Sequence, residues 1–204
     1  MVHTAPIRGD FPSLKLGRIV RYNSSIERDL LYFLEFWQDV SWYKEQPLTI
    51  DHIMLDGKCR RYTPDYEIHQ GDMKILAECK PEDRLESSQA KKQREIGEKW
   101  AEENGYCFVT FTDMALRTGQ KLANIKLLWR YARLRGLYPQ EQILFYIQNK
   151  AVGSVTTVSQ ELKLSTRQVV PVICHLLFHH HIEMDMQYAF TQQTTFKIVE
   201  SEDT

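Results

Sequence analysis

A tight turn around Gly71 joins two strand-like segments, 65–69 and 73–79. Such segments, separated by only a few turn residues, are typical of an antiparallel hairpin. Just upstream, the segments 48–54 and 58–62 are joined at Asp56-Gly57, which is a strong hairpin-turn signal. We therefore expect the middle of the chain to form an antiparallel meander of three or four strands.

Helices flank this predicted meander. A Ser24-x-x-Glu27 capping box, followed by apolar residues at helical spacing, predicts a helix over 26–39. A charged amphipathic segment predicts a second helix over 89–104, and the compact apolar segment 106–111 predicts a buried strand beside the meander after a crossover. The order of helix, strands, helix and strand indicates an α/β core, which we place at residues 1–118.

The remainder of the chain, residues 119–204, has a different pattern. Residues 117–135 contain six Lys or Arg side chains and no acidic residue, which fits either a solvated helix face or a nucleic-acid contact. Beyond them the sequence predicts a helix over 140–148, a short helix over 158–162 and a turn at 163–165. A third helix over 166–180, with Thr166 as N-cap candidate, and two strands at 182–186 and 195–199 follow. This order is that of a winged helix-turn-helix, so we expect a small winged-helix-like α+β domain that binds DNA or a protein partner.

The residues with chemical potential are Pro64-Asp65 and, twelve residues later, Glu78-Cys79-Lys80. Strand residues two apart share a face, so Glu78 and Lys80 project together, with Asp65 across from them at the same end of the hairpin. Carboxylate oxygens suit Mg²⁺, or Mn²⁺ as a substitute, and the backbone carbonyl of Cys79 is a further candidate ligand. Lys80 is then placed to orient a water or to neutralise charge that develops on a phosphate. The same spacing also fits a salt-bridged strand surface without catalysis.

Glu27 has two interpretations. As the fourth residue of the capping box it caps its own helix. If the helix packs on the sheet, Glu27 is also a third carboxylate over the hairpin and a further candidate metal ligand. Both roles can hold together, and only the second predicts that cleavage is lost with a modest loss of stability.

Composition narrows the function classes. The chain has 204 residues, of which 43% are hydrophobic, and its formal net charge is -1, so a DNA partner has to be met by local basic patches rather than by a global basic field. The four cysteines are far apart and form no C-x-x-C pair, which argues against a zinc ribbon or a disulfide framework. Residues 1–10 show no apolar signal segment, and the longest uncharged stretch, 168–182, is too short and polar to span a bilayer. We expect a cytoplasmic protein without membrane contact.

Two further groups of residues are interpreted as structural. His175 and His179 stand four residues apart on a predicted helix, and His179 begins a run of three histidines, 179–181. No third metal ligand is evident, so we interpret these histidines as a polar helix end. The four tryptophans are expected to pack in cores: Trp37, Trp42, Trp100 and Trp129.

Four motifs follow one another in a characteristic order. They are Ser24-x-x-Glu27-Arg28-Asp29-Leu30, Tyr43-x-Glu45-Gln46-Pro47, Arg61-Tyr62-Thr63-Pro64-Asp65 and Glu78-x-Lys80-Pro81. Together they resemble the TnsA-like endonucleases, which are subunits of heteromeric bacterial transposases. The resemblance covers about residues 20–115, and the second domain resembles the C-terminal domain of that family more loosely. Gln46 matches a family motif without a role that we can assign.

The resemblance implies a restriction-endonuclease-like (PD-(D/E)xK) fold that cuts one strand, the 5′ end, at each transposon end with Mg²⁺. Carried over by position, the active site would be Glu27, Asp65, Glu78 and Lys80. A DDE-type transposase, TnsB, would cut and join the 3′ ends, and an ATP-dependent regulator, TnsC, would contact the C-terminal domain. Two other functions remain open: a free-standing restriction or repair nuclease of the same superfamily, and a non-catalytic winged-helix DNA-binding protein.

Overall fold

The structure is a computed structural model that describes residues 7–53, 59–134, 136, 139–150 and 152–199. The chain divides into two compact units, Met1–Arg117 and Thr118–Thr204. Within the described ranges, no helix is both long enough and apolar enough to cross a membrane. The hairpin turn expected at Asp56-Gly57 and the basic residue Arg135 lie outside the described residues.

The first unit is a mixed α/β structure. Its elements in chain order are β1 (Gly9–Pro12), β2 (Ile19–Tyr22), α1 (Ser25–Phe36), β3 (Val40–Glu45), β4 (Ile50–Ile53), β5 (Cys59–Tyr62), β6 (Tyr66–Gln70), β7 (Met73–Lys80), a 3-10 turn (Glu82–Arg84), α2 (Ser88–Asn104), β8 (Cys107–Thr112) and α3 (Asp113–Arg117). The main sheet has the order β3-β6-β7-β8, in which β8 runs parallel to β7 after the crossover through α2 and the other neighbours are antiparallel. The β1–β2 and β4–β5 pairs form two further antiparallel sheets.

The predicted hairpin around Gly71 is confirmed. In the β6–β7 register, Tyr66 lies opposite Ala77 and Ile68 opposite Ile75. Gly71 has a φ of 54°, a left-handed conformation that favours glycine and that the tight turn needs. The register therefore brings Asp65, just before β6, to the same end of the sheet as Glu78.

The sequence predicts the wrong set of strands for the meander. Among the described residues, the upstream segments, now β4 and β5, pair only with each other. The second neighbour of β6, besides β7, is β3, which was not predicted from the sequence. A bulge between Val40 and Trp42 breaks the regular alternation by which β3 could have been found. The β1–β2 hairpin was also not predicted.

The predicted first helix, α1, begins as expected and ends early. The Ser24 side chain accepts a 3.1 Å hydrogen bond from the Glu27 N–H, which caps the helix. The helix ends at Phe36, three residues before the expected end, because Trp37 has an extended backbone. Its buried face, which includes Leu30 and Leu34, packs on β3, β7 and β8.

The crossover helix α2 confirms the second predicted helix. Ser87 caps its start by accepting the N–H of Ala90, and Gly105 closes it in a left-handed conformation with a φ of 73°. The strand that follows, β8, lies beside β7 as expected, but most of its side chains are only half-buried because it forms the edge of the sheet.

The second unit is a small helical domain with a three-stranded sheet. It contains α4 (Lys121–Trp129), α5 (Gln140–Lys150), β9 (Val152–Ser154), α6 (Val155–Leu162), α7 (Thr166–Phe178), β10 (Ile182–Glu183) and β11 (Thr195–Ile198). The sheet order is β10-β11-β9, with antiparallel neighbours, so the strands predicted at 182–186 and 195–199 are present in shorter form and β9 is an addition.

Two helices in the second unit have N-terminal boundaries that differ from the predicted ones. The N-cap of α7 is Ser165 rather than Thr166, and the Gln168 side chain accepts the Ser165 N–H at 3.0 Å. The short helix α6 begins at Val155, three residues earlier than expected, because Ser154 caps it by accepting the Thr157 N–H. Both differences arise from side-chain caps next to the predicted positions.

Asn124 holds the second unit together at one point. Its buried side-chain amide donates to the carbonyls of Met186 and Tyr188 at 3.1 and 2.8 Å, and its oxygen accepts the Phe190 N–H at 3.0 Å. One side chain of α4 thereby fixes the loop between β10 and β11.

Candidate active site

Asp65 is tied to the backbone on both sides. Its Oδ2 accepts the N–H of Cys79 at 2.7 Å, which links the start of β6 to the end of β7. Its own carbonyl accepts the N–H of Gln46 at 2.8 Å, just beyond the end of β3. The carboxylate therefore has a fixed position where three strands of the main sheet meet.

Glu78 and Lys80 project from the same face of β7, as the strand period predicts. The Lys80 Nζ lies 2.6 Å from Oε1 of Glu78, and the Tyr62 hydroxyl donates to Oε2 at 2.7 Å. Glu78 is only 5% exposed, so both of its oxygens are held by specific partners in a largely dry environment.

Glu27 combines features of both of its interpretations. Its N–H is capped by Ser24, and its Oε2 accepts the backbone N–H of Asn23 at 2.8 Å, so the residue does stabilise the helix start. The side chain is buried, at 7% exposed, and it lies close enough to Glu78 and Lys80 for their charges to act on it. The third carboxylate thus adjoins the hairpin, and both roles are compatible with the geometry.

The electrostatics of this cluster are unbalanced, because three carboxylates face one ammonium. Burial, and after it the negative charges of Glu78 and Glu27, raise the pKa of Asp65 to about 8. The hydrogen bond from the Cys79 N–H and the charge of Lys80 act in the opposite direction and lower it. Burial is also the main cause that raises the pKa of Glu27, with a smaller contribution from Glu78. The smaller part of these shifts, which comes from neighbouring carboxylates, reflects a concentration of negative charge that a cation would relieve.

The donor set fits a hard divalent cation in its chemistry. Carboxylate oxygens of Asp65, Glu78 and Glu27, with a backbone carbonyl at Cys79, are the ligands that Mg²⁺ and Mn²⁺ prefer. In the ranges that the structure describes, no three His, Cys, Asp or Glu side chains already form a metal-binding group. Cation binding would therefore require local side-chain rearrangement, such as a shift of Glu78 away from Lys80.

A small cavity adjoins the charged pair. It has a volume of about 10 Å³ and is lined by Glu78, Lys80, Arg94 and Thr110, with apolar side chains completing the wall. This volume is close to what a single water needs, and the polar lining offers the partners that a bound water requires. A water held there would lie next to the Lys80 ammonium.

Two tyrosines belong to the site and were missed from the sequence. Burial and the charge of Glu78 raise the pKa of Tyr62, so its hydroxyl stays protonated and acts as a donor to that carboxylate. Tyr66 is fully buried next to Asp65, and within the described structure its hydroxyl has no hydrogen-bond partner. Tyr62 stands in one of the four motifs, but nothing in the sequence showed that β5 would carry it across to β7.

The remaining candidate residues have backbone partners. His175 Nδ1 lies 3.1 Å from the carbonyl of Tyr131, and His179 Nε2 lies 2.9 Å from that of Ala132, so both rings hold the segment that follows α4. Trp42 departs from the expected core position, with 36% of its surface exposed, whereas the other three tryptophans are half-buried.

Comparison with known families bears on the part of the chain that contains the hairpin. Residues 38–113 match the family described as the TnsA-like endonuclease N-terminal domain, and a comparison with curated proteins finds no match. The matched segment includes Asp65, Glu78 and Lys80, whereas Glu27 precedes it. The match indicates a restriction-endonuclease-like fold for the α/β unit, and it confirms the resemblance drawn from the motifs. Residues 38–113 are therefore identified as a TnsA-like endonuclease N-terminal domain.

Proposed function

We propose that the protein is the Mg²⁺-dependent endonuclease subunit of a heteromeric, Tn7-type transposase. It would hydrolyse one strand, the 5′ end, at each end of the transposon. The observation that carries the proposal is the convergence of Asp65, Glu78 and Lys80 at one end of the β6–β7 hairpin, inside the segment that matches a TnsA-like endonuclease.

In this proposal each residue of the site has its own role. Asp65, Glu78 and the Cys79 carbonyl would hold the cation, with Glu27 as a further ligand. The bound cation would polarise the phosphodiester and lower the pKa of an attacking water. Lys80 would orient that water and stabilise the charge on the phosphate, while Tyr62 keeps Glu78 in position. Water adds to phosphorus and the bond from phosphorus to the 3′ oxygen breaks, which leaves a 3′-hydroxyl and a 5′-phosphate.

The partners follow from the same proposal. A TnsB-type DDE transposase would cut and join the 3′ ends, and a TnsC-type ATPase would contact the second unit. The order of elements that follow α4 in that unit, a helix, a strand, two helices and two paired strands, supports a winged-helix-like domain that binds DNA or protein. The setting would be the bacterial cytoplasm.

Strand-specific cleavage tests the proposal. DNA that carries the transposon ends, labelled on each strand in turn, is incubated with Mg²⁺, with and without the TnsB-type transposase of the same element. Wild type is compared with Asp65→Ala and Lys80→Ala, and circular dichroism verifies that both variants fold. The expected result is partner-dependent cutting of the 5′ strand alone, lost in both variants.

Other outcomes point to different functions. Cutting without the transposase would indicate a free-standing nuclease. Equal cutting by the variants and wild type would refute the assigned site. If an active transposase is present and wild type still does not cut, a non-catalytic DNA-binding protein becomes the better account.

A further inference from the structure

A cleft with a volume of about 780 Å³ opens beside Glu27. The side chains that matter for its chemistry are Arg21, Asn23, Trp42, Lys44 and Gln46, together with Glu27 itself. None of these residues except Glu27 belongs to the cluster on the hairpin. The cleft is therefore an open space that leads to one member of the proposed active site.

The walls of the cleft come from two neighbouring strands. Arg21 is exposed on β2, and Trp42 and Lys44, two residues apart, are exposed on the same face of β3. Arg18 joins the β1–β2 hairpin to β3 through a two-pronged ion pair with Glu45, in which its guanidinium nitrogens lie 2.7 and 2.6 Å from the carboxylate oxygens. This pair fixes the spacing of the walls.

The cleft has an excess of positive charge. Glu45 neutralises Arg18, whereas in the described part of the chain no ion pair joins Arg21 or Lys44 to a carboxylate. Two cations therefore face the open space. Next to them the partly exposed Trp42 ring packs against His69, with ring centroids 4.7 Å apart, so an aromatic surface is held at the cleft.

Gln46 stands where the cleft meets the active site. Its backbone has a φ of 44°, which is unfavourable for a residue with a side chain, and its N–H is bonded to the carbonyl of Asp65. Strained backbone of this kind persists where the surrounding structure enforces it, often at binding sites. Gln46 therefore lines the cleft and is joined through its backbone to Asp65.

We propose that this cleft binds the strand to be cut, as a short unpaired segment next to the bond that is hydrolysed. Arg21 and Lys44 contact its phosphates, Trp42 stacks on an unpaired base, and Gln46 contacts the nucleotide nearest the active site. The inference deepens the proposed function and rests on it. Basic side chains beside an exposed aromatic ring are the usual means of holding a single strand. The cleft volume lies within the range of pockets for compact ligands, about 300–1,000 Å³, so the cleft admits a short single-stranded segment.

The test measures binding without metal, so that it is independent of cutting. Fluorescence anisotropy follows a short labelled oligodeoxythymidine in EDTA, over a series of salt concentrations from low salt upward. Wild type is compared with Arg21→Ala/Lys44→Ala, with Trp42→Ala, and with a control that removes two exposed cations from α2, Lys92→Ala/Lys99→Ala. The double cleft variant is expected to bind at least tenfold more weakly, with the slope of log affinity against log salt reduced by about 1.4, because two phosphate contacts to a single strand are lost. Trp42→Ala is expected to weaken binding without changing the slope, and the control is expected to bind like wild type.

Failure of this inference is distinguishable from failure of the proposed function. If wild type does not bind the oligonucleotide, or if the cleft variants bind like the control, the inference is wrong even when transposon ends are cut. If an acidic oligopeptide displaces the oligonucleotide as effectively as unlabelled DNA does, the cleft belongs to a protein segment and the inference is also overturned. If binding depends on Arg21 and Lys44 but wild type cuts no DNA, the cleft stands and the nuclease proposal fails.

Discussion

The Tyr62 hydroxyl donates a 2.7 Å hydrogen bond to Oε2 of Glu78, so a residue of the small β4–β5 sheet positions a carboxylate of the main sheet. Because Lys80 is bound to the other oxygen, Glu78 is oriented from both sides. If Glu78 holds a metal ion as proposed, hydrogen bonds of this kind are expected to affect metal affinity and activity together.

Tyr62→Phe tests this arrangement. Removing the hydroxyl leaves one buried Glu78 oxygen without its donor, which is expected to lower the free energy of unfolding by about 1–3 kcal/mol. Cleavage is expected to fall by about 10–100-fold as Glu78 loses its orientation. Tyr106→Phe is the matched control, because it removes a hydroxyl that donates to Glu67, at 3.1 Å, away from the site. Urea unfolding and initial cleavage rates distinguish the two variants, and equal effects would contradict a positioning role.

Glu27→Gln separates the two roles of that residue. The glutamine carbonyl can still accept the Asn23 N–H, so the helix cap is kept and the free energy of unfolding is expected to change by less than about 1 kcal/mol. If Glu27 takes part in catalysis, cleavage falls by about 100-fold or more. Ser24→Ala is the converse, since it removes the helix cap at a cost of about 1 kcal/mol but leaves the carboxylate in place. A Glu27→Gln variant that cuts normally would leave only the capping role.

The raised pKa of Asp65 predicts how stability depends on pH. In the folded protein this carboxyl keeps its proton up to a pKa of about 8, whereas in the unfolded chain it loses the proton near 3.8. The folded state therefore binds more protons between these values, and its stability falls as the pH rises from about 4 to 8, by at most roughly 1.4 kcal/mol per pH unit.

Asp65→Asn measures this effect directly. The variant is expected to match wild type near pH 4 and to become progressively more stable than wild type toward pH 8, while Asp72→Asn, in the exposed turn, follows wild type throughout. Adding Mg²⁺ at pH 8 is expected to raise the melting temperature of wild type and not that of Asp65→Asn. An Asp65→Asn variant that is less stable than wild type at pH 8 would contradict the electrostatic account.

Asn124→Ala probes the second unit. Loss of three hydrogen bonds between α4 and the loop that follows β10 is expected to destabilise that unit by about 2 kcal/mol. Asn149→Ala is the matched control, because Asn149 is exposed and its amide donates to the carbonyl of Phe145 in its own helix, at 2.7 Å. Its effect is expected to stay within about 0.5 kcal/mol. Thermal unfolding followed by circular dichroism tests the difference.

Local patterns predicted the parts of the site that lie on single elements. The Ser24 cap, the Gly71 turn and the shared face of Glu78 and Lys80 all depend on residues a few positions apart. The pairing of β3 with β6 could not be predicted in this way, because it joins distant segments and a bulge disturbs the alternation of β3. The contact of Tyr62 with Glu78 and the cleft between β2 and β3 depend on how separate sheets pack, which no local pattern describes.

The position of α1 on the sheet restricts the number of residues between Glu27 and Leu30. The side chains of Leu30 and Leu34 determine which face of the helix lies on the sheet, and each residue turns the helix by about 100°. Inserting one residue between Glu27 and Leu30 would leave that apolar face in place and swing the carboxylate by about 100°, away from Glu78. The same insertion would turn the buried side chain of Ile26 out of the core, so the length of this stretch is set by helix packing and by the position of Glu27 together.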